Sequence, residues 1–118
     1  MRIIDSHAHF MVEGYPLMPS YASVYDEEKA NIWRVDMDAK GVARMVFLTS
    51  AGNDVSERIV AMAPERFIAY AHHDITDKDA PDRLVRAVKE QGLKGYKGFA
   101  PLIDIPLSDP SLDPFFEA

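Results

Sequence analysis

Residues 3–10 read IIDSHAHF, and the reading of this stretch decides the reading of the whole chain. Two isoleucines give the stretch the look of a buried strand and lead into Asp5, His7 and His9, which stand at alternate positions. Successive side chains of a strand point to opposite faces, so these three would share one face. Two imidazoles at i and i+2 can converge on one metal ion where that face lines a cavity. The stretch begins apolar and ends polar, as expected of a strand in a parallel sheet whose site forms at the C-terminal strand ends. As a bare pattern, H-x-H also arises by chance with both rings in solvent. The aspartate two residues earlier, the isoleucine pair and the pattern that follows lift it above chance.

That pattern alternates between strand-like and helix-like segments. Arg2 to Phe10 reads as the first strand. Residues 11–25, MVEGYPLMPSYASVY, read as a loop, and DEEKANIWRVDMDAKG at 26–41 as a helix with Ala30, Trp33 and Met37 on one face. Gly41 stands where a helix C-cap would. VARMVFLTS at 42–50 is nearly continuous in apolar residues, which predicts a strand covered on both faces. VSERIVAMAPE at 55–65 reads as a second helix, with Asp54 and Glu57 as a capping box, Val55, Ile59 and Met62 inward, and Pro64 as its stop. RFIAYAHHDI at 66–75 predicts a third strand. Asp79, Ala80 and Pro81 open a third helix, with Leu84, Val85 and Val88 inward and Gly92 as the stop. LKGYKGFAPL at 93–102 predicts a fourth strand, and SDPSLDPFFEA at 108–118 the start of a fourth helix. Strands alternating with helices predict α/β architecture with a parallel sheet and right-handed crossovers. No low-complexity stretch or internal linker divides the chain, so residues 1–118 read as one unit.

Composition narrows the function. The net charge is −6 and lysines and arginines are scattered among acids, which argues against a nucleic-acid partner. The absence of cysteine excludes disulfide scaffolds and thiolate-ligated zinc. Any metal would be held by histidine, carboxylate or a modified side chain. No apolar run approaches membrane-spanning length, and no basic stretch followed by a long apolar run opens the chain, so a cytoplasmic protein away from the membrane is the expectation. GYKG at 95–98 matches no phosphate-binding or dinucleotide fingerprint, and neither Ser6 nor Ser50 sits in a nucleophile elbow.

IIDSHAHF resembles the first strand of the amidohydrolase superfamily of metal-dependent hydrolases. Within it, the similarity is to the amidohydrolase-related branch, which includes decarboxylases of aromatic and related acids and lactonases. GVARMVFLTS resembles that branch's second strand and GLKGYKGFAPL its fourth, so the likeness runs along essentially the whole chain. The resemblance implies a (β/α)8, TIM-barrel-like enzyme with a metal at its C-terminal face. Such a barrel needs about 250 residues, so residues 1–118 would form a partial (β/α)4 unit, the N-terminal half. It implies His7 and His9 as metal ligands, a divalent ion with Zn²⁺ expected, and further ligands and an aspartate base from strands five to eight. The implied reaction is hydrolysis of an amide, ester or lactone, or decarboxylation of a small carboxylic acid. Folded alone, the chain would be incomplete and inactive, and would pair with a copy of itself. The alternative is a non-catalytic α/β fragment or interaction module that folds against itself or a missing half. A small open binding module with an incidental histidine pair is a third reading.

Three further residues are candidates for substrate contact. Lys97, near the end of the fourth strand, could meet an anionic group as a point charge; in some branches of the superfamily a carboxylated lysine after strand four bridges two metals, but this branch manages with one. The bland alternative is a lysine in solvent between two glycines. His72 and His73 are neighbours, so at most one can face the cavity; His73 is the candidate, against a surface or satisfied core role. Tyr15, in the loop after the first strand, could wall a planar substrate or pack on the barrel rim. Asp104 and Asp109 read as loop and helix-cap residues.

Overall fold

The computed structural model describes residues 3–9, 27–49, 52–98 and 103–118. Three strands, β1 (Ile3–Ala8), β2 (Val42–Phe47) and β3 (Phe67–Ala69), form one sheet in the order β1-β2-β3, and both pairings are parallel. Helix α1 (Glu27–Ala39) precedes β2, α2 (Asn53–Met62) connects β2 to β3, and α3 (Ala80–Lys89) follows β3. A 3-10 turn, Pro110–Leu112, leads into the short α4 (Asp113–Phe116). This is the predicted parallel β/α order, with shorter strands.

The fourth strand is the most reduced. Of residues 93–102, those that are described pair with the chain beyond β3 through a single parallel bridge, Ala71 to Tyr96. Three backbone bonds support it: Lys94 N–H to the Ala69 carbonyl at 3.0 Å, Ala71 N–H to Gly95 at 2.7 Å and Lys97 N–H to Ala71 at 2.8 Å. The segment occupies the expected fourth position. Gly95 and Gly98 weaken regular pairing there, because glycine brings no side chain to pack and loses more entropy on ordering.

The core lies between the sheet and its helices. Phe47 and Phe67 are fully or almost fully buried and meet edge to face, their ring centroids 5.0 Å apart. Trp33 of α1 closes on Phe47 at 5.5 Å. Ala30 and Met37 are buried on the same face of α1, as the spacing predicts, and Val55 and Ile59 of α2 are buried beside them. Gly41 and Gly92 follow their helices with φ of 67° and 72°, the left-handed turn that ends a helix most cheaply at glycine.

Four local expectations are corrected. β2 is buried on both faces only over Met45–Phe47, and Arg44 is exposed. β1 is not a buried strand: Ile3 is 40% exposed and Ile4 56%, because β1 is the outer strand of the sheet among the described residues. The inward face of α3 carries Ala80 and Ala87 with Leu84 partly buried, while Val88 is exposed. Ala87 joins the core beneath the sheet and Ala80 a second cluster with Ile75, Leu112 and Phe115, while Leu84 and Val85 are half-buried, so the fully buried positions of α3 are the alanines rather than the larger apolar residues. Asp54 and Glu57 do not form a capping box. The N-cap is Gly52, with no side-chain cap, which puts Asp54 inside the first turn. Both carboxylates instead accept from the Gln91 amide, at 3.0 and 2.9 Å, and so tie α2 to the end of α3.

At the N-terminal end of the sheet Arg66 acts as a clamp. Its Nε donates to the Ala43 carbonyl at 2.9 Å, and its Nη2 to Val42 at 3.0 Å and to Asp38 at 2.8 Å. One guanidinium therefore joins the α1–β2 turn to the start of β3. A cleft of about 690 Å³ opens at this end, lined by Ile4, Met37, Gly41 and Arg66 among others. It is the underside of the sheet, at the opposite end from the histidine pair.

Candidate metal centre

His7 lies in the last turn of the pleat of β1 and His9 one residue beyond its end. The strand brings the rings together as its alternation requires: the two Nε2 atoms are 3.0 Å apart and the ring centroids 4.9 Å. Both residues are exposed. Asp5 does not extend toward the rings; its carboxylate accepts the His7 backbone N–H at 3.0 Å. That bond fixes the backbone locally where the β1–β2 register shifts, between Asp5 and Ala8.

The donor set fits a divalent ion in part. Imidazole nitrogens bind zinc at about 2.0–2.1 Å. Two nitrogens at about that distance and 3.0 Å apart subtend close to a right angle at the ion. For both Nε2 atoms to face a cation, each ring must carry its proton on Nδ1. Two ligands are short of the three protein ligands of a catalytic zinc site. Among the described residues no group of three or more histidines, aspartates or glutamates converges.

A second polar cluster sits at the end of β3, and the structure groups it apart from the first. The Asn53 carboxamide oxygen accepts the His72 backbone N–H at 2.9 Å, and its nitrogen lies 3.2 Å from His73 Nδ1. His73 Nε2 lies 3.1 Å from the Ala80 carbonyl. A carbonyl only accepts, so Nε2 carries the proton and Nδ1 accepts from Asn53. The His73 ring packs edge to face with Tyr96 at 5.3 Å and Phe115 at 5.8 Å. The Tyr96 hydroxyl donates to the His73 carbonyl at 2.6 Å. Burial, with the charge of Asp74 behind it, pushes the Tyr96 hydroxyl up to about 12, so it remains a donor. Burial is also the largest influence on His73, whose pKa lies below the usual histidine value.

His72 Nδ1 donates to the Lys97 carbonyl at 2.9 Å, which fixes the backbone of Lys97 beside the end of β3. Its side chain is partly exposed. Tyr15 lies outside the described residues. Asp109 is the helix cap predicted, its carboxylate accepting the Ser111 N–H at 2.9 Å. Asn53 was not legible as a structural residue: it stands 19 positions before His72, and only the opening of a helix marked it.

The profile of the family described as Amidohydrolase matches residues 4–118, so the chain belongs to the amidohydrolase family. Among solved structures, it is similar to 5-carboxyvanillate decarboxylase from Novosphingobium aromaticivorans, solved with bound manganese and 3-methoxy-4-hydroxy-5-nitrobenzoic acid. The TM-score is 0.71 at 17% identity, covering 98% of this chain and 47% of that one. A probable 2-pyrone-4,6-dicarboxylic acid hydrolase from Acinetobacter baumannii, with citric acid bound, matches at 0.71 and 20% identity, covering 99% and 45%. A 2,6-dihydroxybenzoate decarboxylase bound to 2,6-dihydroxybenzoate matches at 0.62 and 19% identity, covering 99% and 46%. No curated protein matches the chain. At these identities the likeness is one of fold: parallel β/α units corresponding to the N-terminal half of a TIM-barrel amidohydrolase. The chain spans a little under half the length of each of these structures. Among the described residues no helix is long and apolar enough to cross a membrane.

Proposed function

We propose that His7 and His9 hold a divalent metal ion at the C-terminal mouth of an amidohydrolase barrel, of which this chain forms the N-terminal half. The reaction is hydrolysis of an amide, ester or lactone, or decarboxylation of a small carboxylic acid. The observation that carries this reading is the pair of Nε2 atoms 3.0 Å apart at the end of β1. When bound, such an ion supplies Lewis-acid polarisation of a substrate carbonyl or carboxylate.

The rest is the work of the chain's own residues. His7 and His9 bind, and Asp5 holds the His7 backbone in place. Lys97 meets a substrate carboxylate as a point charge, and Tyr15 walls the substrate's flat face. His73 already uses both ring nitrogens within the fold, which favours a supporting role for it over substrate contact. The small carboxylates bound by the three similar structures support a carboxylate substrate here. Zinc was the ion expected from the sequence; the manganese in one similar enzyme makes manganese an equal candidate. Two histidines do not complete a site, so activity belongs to the assembled barrel and the lone chain is inactive.

The second reading is a non-catalytic fragment that folds by pairing with itself or with a missing half. Among the described residues no strand pairs with the outer edge of β1, and its exposed Ile3 and Ile4 favour this reading, since an open apolar edge is a template for another strand.

Bound zinc and manganese per chain, measured after dialysis together with native mass, separate the two. Metal that is retained by the wild type and lost from both His7→Ala and His9→Ala, at unchanged circular dichroism, supports the metal site. An oligomer that retains no metal favours the pairing fragment, and retention that survives both His7→Ala and His9→Ala sinks the metal site.

A further inference from the structure

We propose that His73 is a proton-operated latch that holds the C-terminal segment, residues 110–116, against the end of β3 and releases it on acidification. The proposal is independent of the metal reading. It rests on a hydrogen-bond arrangement with no room for a second proton. Ala80 O can only accept, so His73 Nε2 must donate to it, and Nδ1 is left to accept from the Asn53 amide. Protonation turns Nδ1 into a donor facing a donor. The Asn53 amide cannot relieve this by turning over. Its oxygen already accepts the His72 N–H at 2.9 Å, and turning over would set its NH2 against that N–H. Either orientation leaves one donor unpaired in a partly buried cluster, which costs about as much as a lost hydrogen bond or more.

The ring's position makes this matter beyond its own bonds. His73 touches four parts of the chain: α2 through Asn53, α3 through the Ala80 carbonyl, the fourth strand position through Tyr96, and α4 through Phe115. Phe115 and Tyr96 also meet each other, at 4.8 Å. Moving His73 therefore loosens the face on which Phe115 sits. The charged surroundings do not invite a second proton. On α3, Arg83 opposes protonation and Asp79 favours it, and the two are paired with each other at 2.8 Å. His72 beside it opposes protonation. The Asp74 carboxylate is occupied by Thr76, and on α2 the Asp54 carboxylate is occupied by Gln91. Tyr96 stays neutral and Phe115 is apolar. Burial of the ring sets the balance toward the neutral form.

Hydrogen exchange of peptides covering 110–117, corrected for intrinsic rates, tests the latch at pH about 7.5 and about 5, on either side of the ordinary histidine value. In the wild type, exchange in this segment should rise about tenfold or more on acidification, while the amides of Met45–Phe47 stay protected. His73→Gln should lose most of that response. Asn53→Asp should reverse it, because a carboxylate can accept from both the His72 N–H and a protonated Nδ1. Its segment should stay protected at low pH, and the His73 ring titration, followed by NMR, should move up. Should His73→Gln fail to fold, the Asn53→Asp comparison decides alone. An unchanged segment in the wild type, or the same acid response in wild type and Asn53→Asp, overturns the proposal.

Discussion

Phe47→Ala is expected to cost about 3–5 kcal/mol, the range for truncating a fully buried aromatic ring. A domain of this size is stable by only about 5–15 kcal/mol, so most of the variant population should be unfolded or close to it at modest temperature. The size of the effect follows from where the ring lies. Phe47 is fully buried at the end of the central strand, between Trp33 of α1 and Phe67 of β3. Its removal opens a cavity that two rigid rings and a strand backbone cannot collapse to fill. Trp33 is the chain's single tryptophan, so its fluorescence reports the same site that is cut. Denaturant titration followed at that wavelength should show a lower midpoint. A loss under about 1 kcal/mol would mean that this face is not the core.

Arg66→Ala should be the next most costly of the changes considered, at about 1–3 kcal/mol. The Asp38 ion pair is a minor part, since that carboxylate is largely exposed and such pairs contribute little. The cost comes from the Ala43 and Val42 carbonyls, which lose donors at the partly buried start of β2. Arg66→Lys should recover less than half of the loss, because a single ammonium cannot reach both carbonyls as the planar fork does. Thermal unfolding of the three proteins checks this. Full recovery by lysine would show that charge, not the fork, is what the turn needs.

How much of this was legible in the sequence depends on the range of the force at work. Helix and strand order followed from local periodicity, and Ala30, Trp33 and Met37 share the buried face their spacing indicated. The histidine pair was legible for the same reason, since alternation along one strand is enough to bring His7 and His9 together. Burial of β1 was not, because an Ile-Ile pair reads alike at the centre of a sheet and at its edge. The α3 stripe was misplaced because Ala80 and Ala87 are buried by position rather than by hydrophobicity. Asp54 and Glu57 matched a capping pattern, but Gln91, more than thirty residues away, decided where their carboxylates went. The Asn53–His73–Ala80 arrangement joins three separate elements, and such closure depends on tertiary packing that no single segment displays.

The clamp of Arg66 and the histidines of β1 stand at opposite ends of one sheet. This separation bears on how the protein can change over generations. Substitutions at the exposed His7 and His9 leave the Arg66 bonds at the other end of the sheet untouched. Substitutions around Arg66 can raise or lower tolerance to heat without reaching the histidine pair. A lineage built this way can vary the histidine end of the sheet while its frame is held constant, and it can adapt to a new temperature while that end is held constant.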